Sequence, residues 1–309
     1  MKKLAEKEKI IIDTDPGHDD ALAILMLLKS GRFDLQAVTT VAGNSGIENV
    51  TRNAQSILNL AESQAPVFSG APSPLKRQLV TAVVHGPDGL DGFDTSQTSF
   101  ELTDNAPQKI VEIARRFPNK VTILAIGPLT NIAKALQLEP ELPQLVPQIV
   151  IMGGAIAVPG NKNRVAEFNF FVDPEAADIV FRSSLTKILV PLDLCLTTAF
   201  QLADFRAIKN ERLRAALLPM MQRFIQGLRQ DEGTSGILAY DALAGYFLLN
   251  RTAFMLQPMN IEIETRGRLT SGMSVAERRP YKPVPANVLV AVDVDRQAFR
   301  QDFVKHLSA

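Results

Sequence analysis

The segment Ile10-Ile11-Ile12-Asp13-Thr14-Asp15-Pro16-Gly17-His18-Asp19-Asp20 limits the possible folds more than any other, because three β-branched residues run directly into four carboxylates. An apolar run from Ala21 to Leu28 follows. The β-branched run predicts a buried parallel strand, the Pro-Gly pair a tight turn, and the apolar run a buried helix. The acids then stand at the carboxyl end of a first strand, where open α/β sheets place their ligand crevice. Carboxylates crowded there raise one another's pKa unless something positive neutralises them, and a hard divalent cation held by oxygens does so. A preference of Asp19 and Asp20 for the positive end of the helix, about 0.3–1 kcal/mol each, accounts for those two acids and leaves Asp13 and Asp15 unexplained.

The rest of the chain repeats strand, polar turn and helix. Residues 35–41 read as a second strand ending in Ala42-Gly43-Asn44, ahead of a helix over 47–61. A short strand at 66–68 precedes residues 69–105, which lose periodicity and collect Gly, Pro, Ser and Thr. A loop of that length in a compact domain reads as a functional lid, and it carries His85. Further strands are expected at 121–126, 148–152, 187–190, 260–264 and 288–293. Helices are expected at 106–117, 202–208, 211–228, 238–249 and 296–307. Asp173, followed by Pro174, reads as the cap of a helix through Phe181. His18 and His306 read as surface residues, and Asp241 as a helix-start acid or a second metal anchor.

This pattern predicts one α/β domain over residues 1–309, with a mainly parallel sheet, helices on both faces, and the site at the strand carboxyl ends. Lys plus Arg equals Asp plus Glu at 33 each, and no basic stripe interleaved with aromatics suggests a nucleic-acid partner. The charged start Met1 to Glu8 has no apolar segment behind it and the run from Ala21 is too short to span a bilayer, so a cytoplasmic protein is expected. The lone Cys195 excludes an internal disulfide and reads as a small buried hydrophobe.

Five separated stretches share the look of one family: Asp13 to Asp20, Thr40-Val41-Ala42-Gly43-Asn44, Gly127-Pro128-Leu129-Thr130-Asn131-Ile132-Ala133, Met152-Gly153-Gly154, and Ala166 to Asn169 with Asp173 to Ala177. In that order they resemble the inosine-uridine preferring ribonucleoside hydrolases. The resemblance implies a Rossmann-like fold, hydrolysis of the N-glycosidic bond of ribonucleosides to ribose and free base, one bound calcium ion, and a homodimer or homotetramer. It makes Asp15, Asp20, the Ile126 carbonyl and Asp241 the calcium ligands, with Asp15 also the general base on the metal-bound water. Asp19, Asn44 and Asn169 would hold the ribose 2′ and 3′ hydroxyls, and Asn161 and Glu167 the 5′ hydroxyl. Met152 and Phe168 would line the sugar pocket and His85 would approach the base.

Tyr240 departs from the family, where many members place a histidine that helps protonate a departing purine. Phe224, Leu228 and Glu232 likewise stand where tyrosine or other polar residues often face the base. These changes leave the ribose and metal residues in place but open the base preference, and they keep a nucleoside-binding protein without turnover as a second reading. A third, a haloacid-dehalogenase-type phosphatase, is suggested by Asp13-Thr14-Asp15 after a strand. It expects threonine or valine where Gly17 stands, and it leaves the later motifs unexplained.

Overall fold

Ile10, Ile11 and Ile12 are wholly buried at the centre of β1 (Glu8–Thr14), and their alternation serves both faces of a sheet. Ile10 and Ile12 join the apolar cluster on one face, while Ile11 joins the cluster on the other. The computed structural model describes residues 7–234, 236–282 and 284–309. Residues 1–6, which entered the reading of compartment, lie outside them.

The remaining strands are β2 (Phe33–Thr40), β3 (Val67–Ser69), β4 (Val121–Ala125), β5 (Ile149–Met152), β6 (Lys187–Val190), β7 (Phe254–Met259), β8 (Ile261–Ile263), β9 (Ser274–Ala276) and β10 (Val288–Val294). An eight-stranded sheet has the order β3-β2-β1-β4-β5-β6-β10-β7, parallel except where β7 pairs with β10. The chain runs outward from β1 to β2 and β3, then returns to place β4 on the other side of β1. That reversal is a topological switch point, and it opens a crevice beyond Thr14 and Ala125.

Helices cover both faces. Those at His18–Lys29, Ile47–Ala61, Glu211–Asp231, Tyr240–Leu249 and Arg296–Leu307 pack on one face; Ala106–Arg116, Thr130–Leu138 and Pro174–Arg182 pack on the other. Helix Tyr240–Leu249 is buried along its whole length and lies against helix His18–Lys29, with Gly245 admitting Leu27 and Met26. Both helices begin at the crevice, so two positive helix ends point toward the acids.

The observed elements differ from expectation mainly near the carboxyl terminus. β7 carries Pro258 and polar Gln257 and alternates weakly, which hides an edge strand from a search for apolar periodicity. The expected strand at 260–264 is β8, but it pairs with β9 in a separate hairpin and does not enter the main sheet. Among the described residues, no helix is long and apolar enough to cross a membrane.

Candidate active site

Three segments deliver carboxylates to the switch point. Asp15 follows β1, Asp19 and Asp20 occupy the first turn of helix His18–Lys29, and Asp241 is the second residue of helix Tyr240–Leu249. All four are buried, and one oxygen each from Asp19, Asp20 and Asp241 lies within 4.8 Å of the others. Asp20 accepts from the Gly17 amide at 2.9 Å, from Asn44 Nδ2 at 3.2 Å, and from the Thr14 hydroxyl. The Asn44 amide donates to Asp15 Oδ2 at 2.7 Å. Two glycines make room for this carboxylate: a Cβ at Gly43 would stand 2.0 Å from Asp15 Oδ2, and one at Gly127 2.7 Å from Oδ1.

These bonds leave the cluster incomplete. Asp15 Oδ1 and Asp19 Oδ1 are buried without any hydrogen-bond partner. Burial, then repulsion from neighbouring carboxylates, pushes Asp15, Asp19 and Asp241 well above the usual carboxylate range. Asp20 is raised too, by burial. Among the described residues no lysine or arginine pairs with any of them; His85 Nε2 stands 3.7 Å from Asp19 Oδ1, but burial pushes its pKa well down and disfavours the charged ring. Bare oxygens, an all-oxygen donor set and uncompensated acid fit a hard cation. The Ile126 carbonyl belongs to the same crevice, where it accepts from Asn169 Nδ2 at 3.1 Å.

Beyond the acids, amides order a polar wall. Asn169 Nδ2 also donates to the Met152 carbonyl at 3.2 Å. Glu167 accepts from the amides of Asn169 at 2.8 Å, Gly154 at 2.9 Å and Phe170 at 3.2 Å, and burial pushes its carboxyl up to about 7. Asn161 Oδ1 accepts from the Phe168 amide at 3.0 Å, and its Nδ2 donates to Glu232 Oε1 at 3.3 Å. The Tyr240 hydroxyl donates to the other Glu232 oxygen.

Of the residues singled out in the sequence, Asp19, Asn44, His85, Ile126, Met152, Asn161, Glu167, Phe168, Asn169, Tyr240 and Asp241 line one pocket. Asp15 and Asp20 stand behind that wall, bonded to Asn44. Glu232 lines the pocket, whereas Phe224 and Leu228 are packed behind it. Asp173 is the expected cap, accepting from the Ala176 amide at 3.0 Å. Ala82, Val84 and Lys162, in long loops, and Asp231, the last residue of helix Glu211–Asp231, complete the wall without any signal in the sequence.

One expectation is overturned. His18 is not a surface residue: it is wholly buried, with its ring stacked on Phe224 at 4.9 Å and on His85 at 5.3 Å. The loop carrying His85 and Asp91 folds back over the helix start and covers it. His306 is partly buried on the closing helix, away from the pocket.

The chain matches the family described as inosine-uridine preferring nucleoside hydrolase over residues 10–301. It is 38% identical over 297 residues to a pyrimidine-specific ribonucleoside hydrolase, RihA, of Salmonella arizonae, covering 94% of this chain and 95% of that protein. It is 39% identical over 294 residues to the non-specific ribonucleoside hydrolase RihC of Escherichia coli, with 94% and 95% covered. Among solved structures, a plant nucleoside hydrolase, PpNRh1, superposes with a TM-score of 0.90 at 30% identity, covering 98% of this chain and 100% of that one. A purine-preferring ribonucleoside hydrolase from Gardnerella vaginalis gives 0.88 at 28% identity, covering 97% and 98%.

Proposed function

This chain belongs to the inosine-uridine preferring nucleoside hydrolase family and hydrolyses the N-glycosidic bond of ribonucleosides, and from that premise we propose how its own residues do so. Asp15, Asp20, Asp241 and the Ile126 carbonyl hold a divalent cation, and calcium suits a flexible set of carboxylates and a main-chain carbonyl with room for sugar hydroxyls. When bound, the cation supplies Lewis-acid polarisation of a water and an anchor for vicinal hydroxyls.

Asp19, Asn44 and Asn169 orient the ribose 2′ and 3′ hydroxyls, while Asn161 and Glu167 receive the 5′ hydroxyl. Met152 and Phe168 give the sugar an apolar wall. Asp15, whose Oδ1 is bare, accepts a proton from the attacking water. Cleavage builds positive charge on the sugar, and buried carboxylates stabilise that charge best where water is excluded. His85 and Tyr240 stand at the base end and contact the leaving group. The family reading extends to a homodimer or homotetramer, to be measured by light scattering on the eluting protein.

The observation that carries this proposal is the meeting of four buried, uncompensated carboxylates at the switch point, two of them with bare oxygens. It is tested by ribose release from inosine, adenosine, guanosine, uridine and cytidine, with calcium present, after chelation, and after calcium is restored. Release that is lost on chelation and regained with calcium supports the assignment. Release indifferent to chelation refutes the calcium site, and binding without release from any of the five favours the nucleoside-binding reading.

A further inference from the structure

We propose that Glu232 is a positioning residue that fixes the Asn161 amide for the 5′ hydroxyl of the substrate, so that the preference of this chain for a 5′-hydroxylated ribose runs through a carboxylate that need not touch the sugar. The proposal rests on the hydrolase reading and on the 5′ place given there to Asn161 and Glu167. Glu232 stands just past helix Glu211–Asp231, where its amide still donates to the Leu228 carbonyl at 2.9 Å. Gly233, with a φ of 69°, then turns the chain away in the left-handed region that favours glycine. The helix end therefore presents the Glu232 side chain from a fixed backbone.

Asn161 has no such support. It lies in the irregular stretch between β5 and Glu167, and among the described residues its side chain meets two partners. The Phe168 amide donates to Oδ1 at 3.0 Å, and Nδ2 donates to Glu232 Oε1 at 3.3 Å. A main-chain N–H only donates, so the oxygen of the Asn161 amide must face Phe168 and its nitrogen Glu232. One N–H of Nδ2 is left for the 5′ oxygen.

Glu167 takes the hydrogen of the same hydroxyl. The amides of Gly154 and Phe170 fill Oε2, whereas Oε1 receives the Asn169 amide alone and keeps a second acceptor position. The 5′ hydroxyl thus gives to Glu167 and receives from Asn161, and a 5′-deoxy sugar leaves both unmet.

No cation competes for Glu232. Lys162, next in the chain to Asn161 and also in the pocket wall, sends its amine to the Thr81 carbonyl at 3.3 Å and holds it 5.5 Å from the Phe168 ring centroid. Glu232 Oε2 instead receives the Tyr240 hydroxyl. One carboxylate therefore ties the helix end, the Asn161 loop and the start of helix Tyr240–Leu249 together. In a ribonucleoside the base and the 5′ carbon leave the sugar on the same face, and this bridge joins the walls given to those two groups.

The test compares kcat/KM for uridine and inosine with that for their 5′-deoxy analogues, read as base release by chromatography. The wild type should prefer the 5′-hydroxylated substrates, and Asn161→Ala should cut that preference about three- to tenfold, the share of one hydrogen bond. Glu232→Met keeps the stem and loses both oxygens, and it should cut the preference by a similar factor. Glu232→Gln should restore it, because the new amide can accept from Asn161 and donate to the Tyr240 oxygen. The double variant Asn161→Ala/Glu232→Met should be no less selective than Asn161→Ala alone, since a residue acting through Asn161 then has nothing left to position.

Wild-type preference in a folded Glu232→Met, or no rescue by a folded Glu232→Gln, overturns the positioning role. A further loss in the double variant overturns it too, because Glu232 would then meet the substrate itself. Should Glu232→Met not fold, Glu232→Ala repeats that arm. An Asn161→Ala that keeps the full preference refutes the 5′ place of Asn161, and the proposal with it. The hydrolase reading fails by a different sign, the absence of base release; calorimetric Kd values for the same ligands and variants then carry the comparison.

Discussion

Gly43→Ala should disable the enzyme while leaving the fold standing. Gly43 does not occupy the left-handed region, so alanine meets no backbone penalty of its own. Its new Cβ would stand 2.0 Å from Asp15 Oδ2 and 2.9 Å from both Asp15 Cγ and Pro128 Cδ, where real contacts stay beyond 3.0 Å. The carboxylate must retreat by about 1 Å or more, and a misplacement of that size costs about 10²-fold in rate. The retreat also stretches the 2.7 Å bond from the Asn44 amide. A hydrogen bond to a charged group contributes about 1.5–3 kcal/mol, so the melting temperature of a chain this long should fall by roughly 2–5 °C. The assay is kcat for ribose release at saturating calcium, beside a calorimetric melt. Gly46→Ala is the control, because nothing lies within 4 Å of a Cβ there. Asp15→Ala sets the floor. Wild-type kcat in a folded Gly43→Ala, with Gly46→Ala also unaffected, would refute the role given to Asp15.

Asp241→Asn removes one member of a mutually repelling cluster, so without metal it should melt no lower than the wild type, whereas the rise in melting temperature on adding calcium should vanish; calorimetry with and without chelator checks both. Glu167→Gln sets an amide N–H against at least one of three main-chain donors, and it should lower stability by about 1–3 kcal/mol in urea titrations and raise KM for nucleosides. Lys187 is buried at the start of β6, with its amine donating to the Ser183 and Leu185 carbonyls at 2.8 Å each, and burial lowers its pKa from 10.5 to about 8. Between those two values the unfolded chain binds more protons than the folded one, so this residue's contribution to stability rises with pH from about 8 to 10.5. Urea midpoints across that range should show the rise in the wild type and a flatter profile in Lys187→Met; parallel profiles would contradict it.

Local chemistry made most of the scaffold legible. The triple isoleucine, the Pro-Gly turn and the apolar helix behind it predict β1, the crevice and the acids' place in it, because burial on both faces, a turn and a switch point are each written in a few adjacent residues. The helices Ile47–Ala61 and Arg296–Leu307 end where expected because their apolar periodicity stops there. β7 stayed hidden because an edge strand needs neither a continuous apolar run nor a free N–H at every position. His18 was misread for a related reason. Its burial depends on a loop about 70 residues later, and position in a turn says nothing of what folds over it.

The same limit governs the pocket. Motifs placed the acids and amides at one sheet end, since each sits on or beside a regular element whose direction the sequence fixes. Glu232 and Tyr240 lie eight residues apart across a turn, and only the fold brings the phenol onto the carboxylate and both beside Asn161. Hydrogen-bond direction is a further step removed, because it is decided by the partner behind each group: the Asp91 carbonyl behind His18, and Glu232 behind Tyr240.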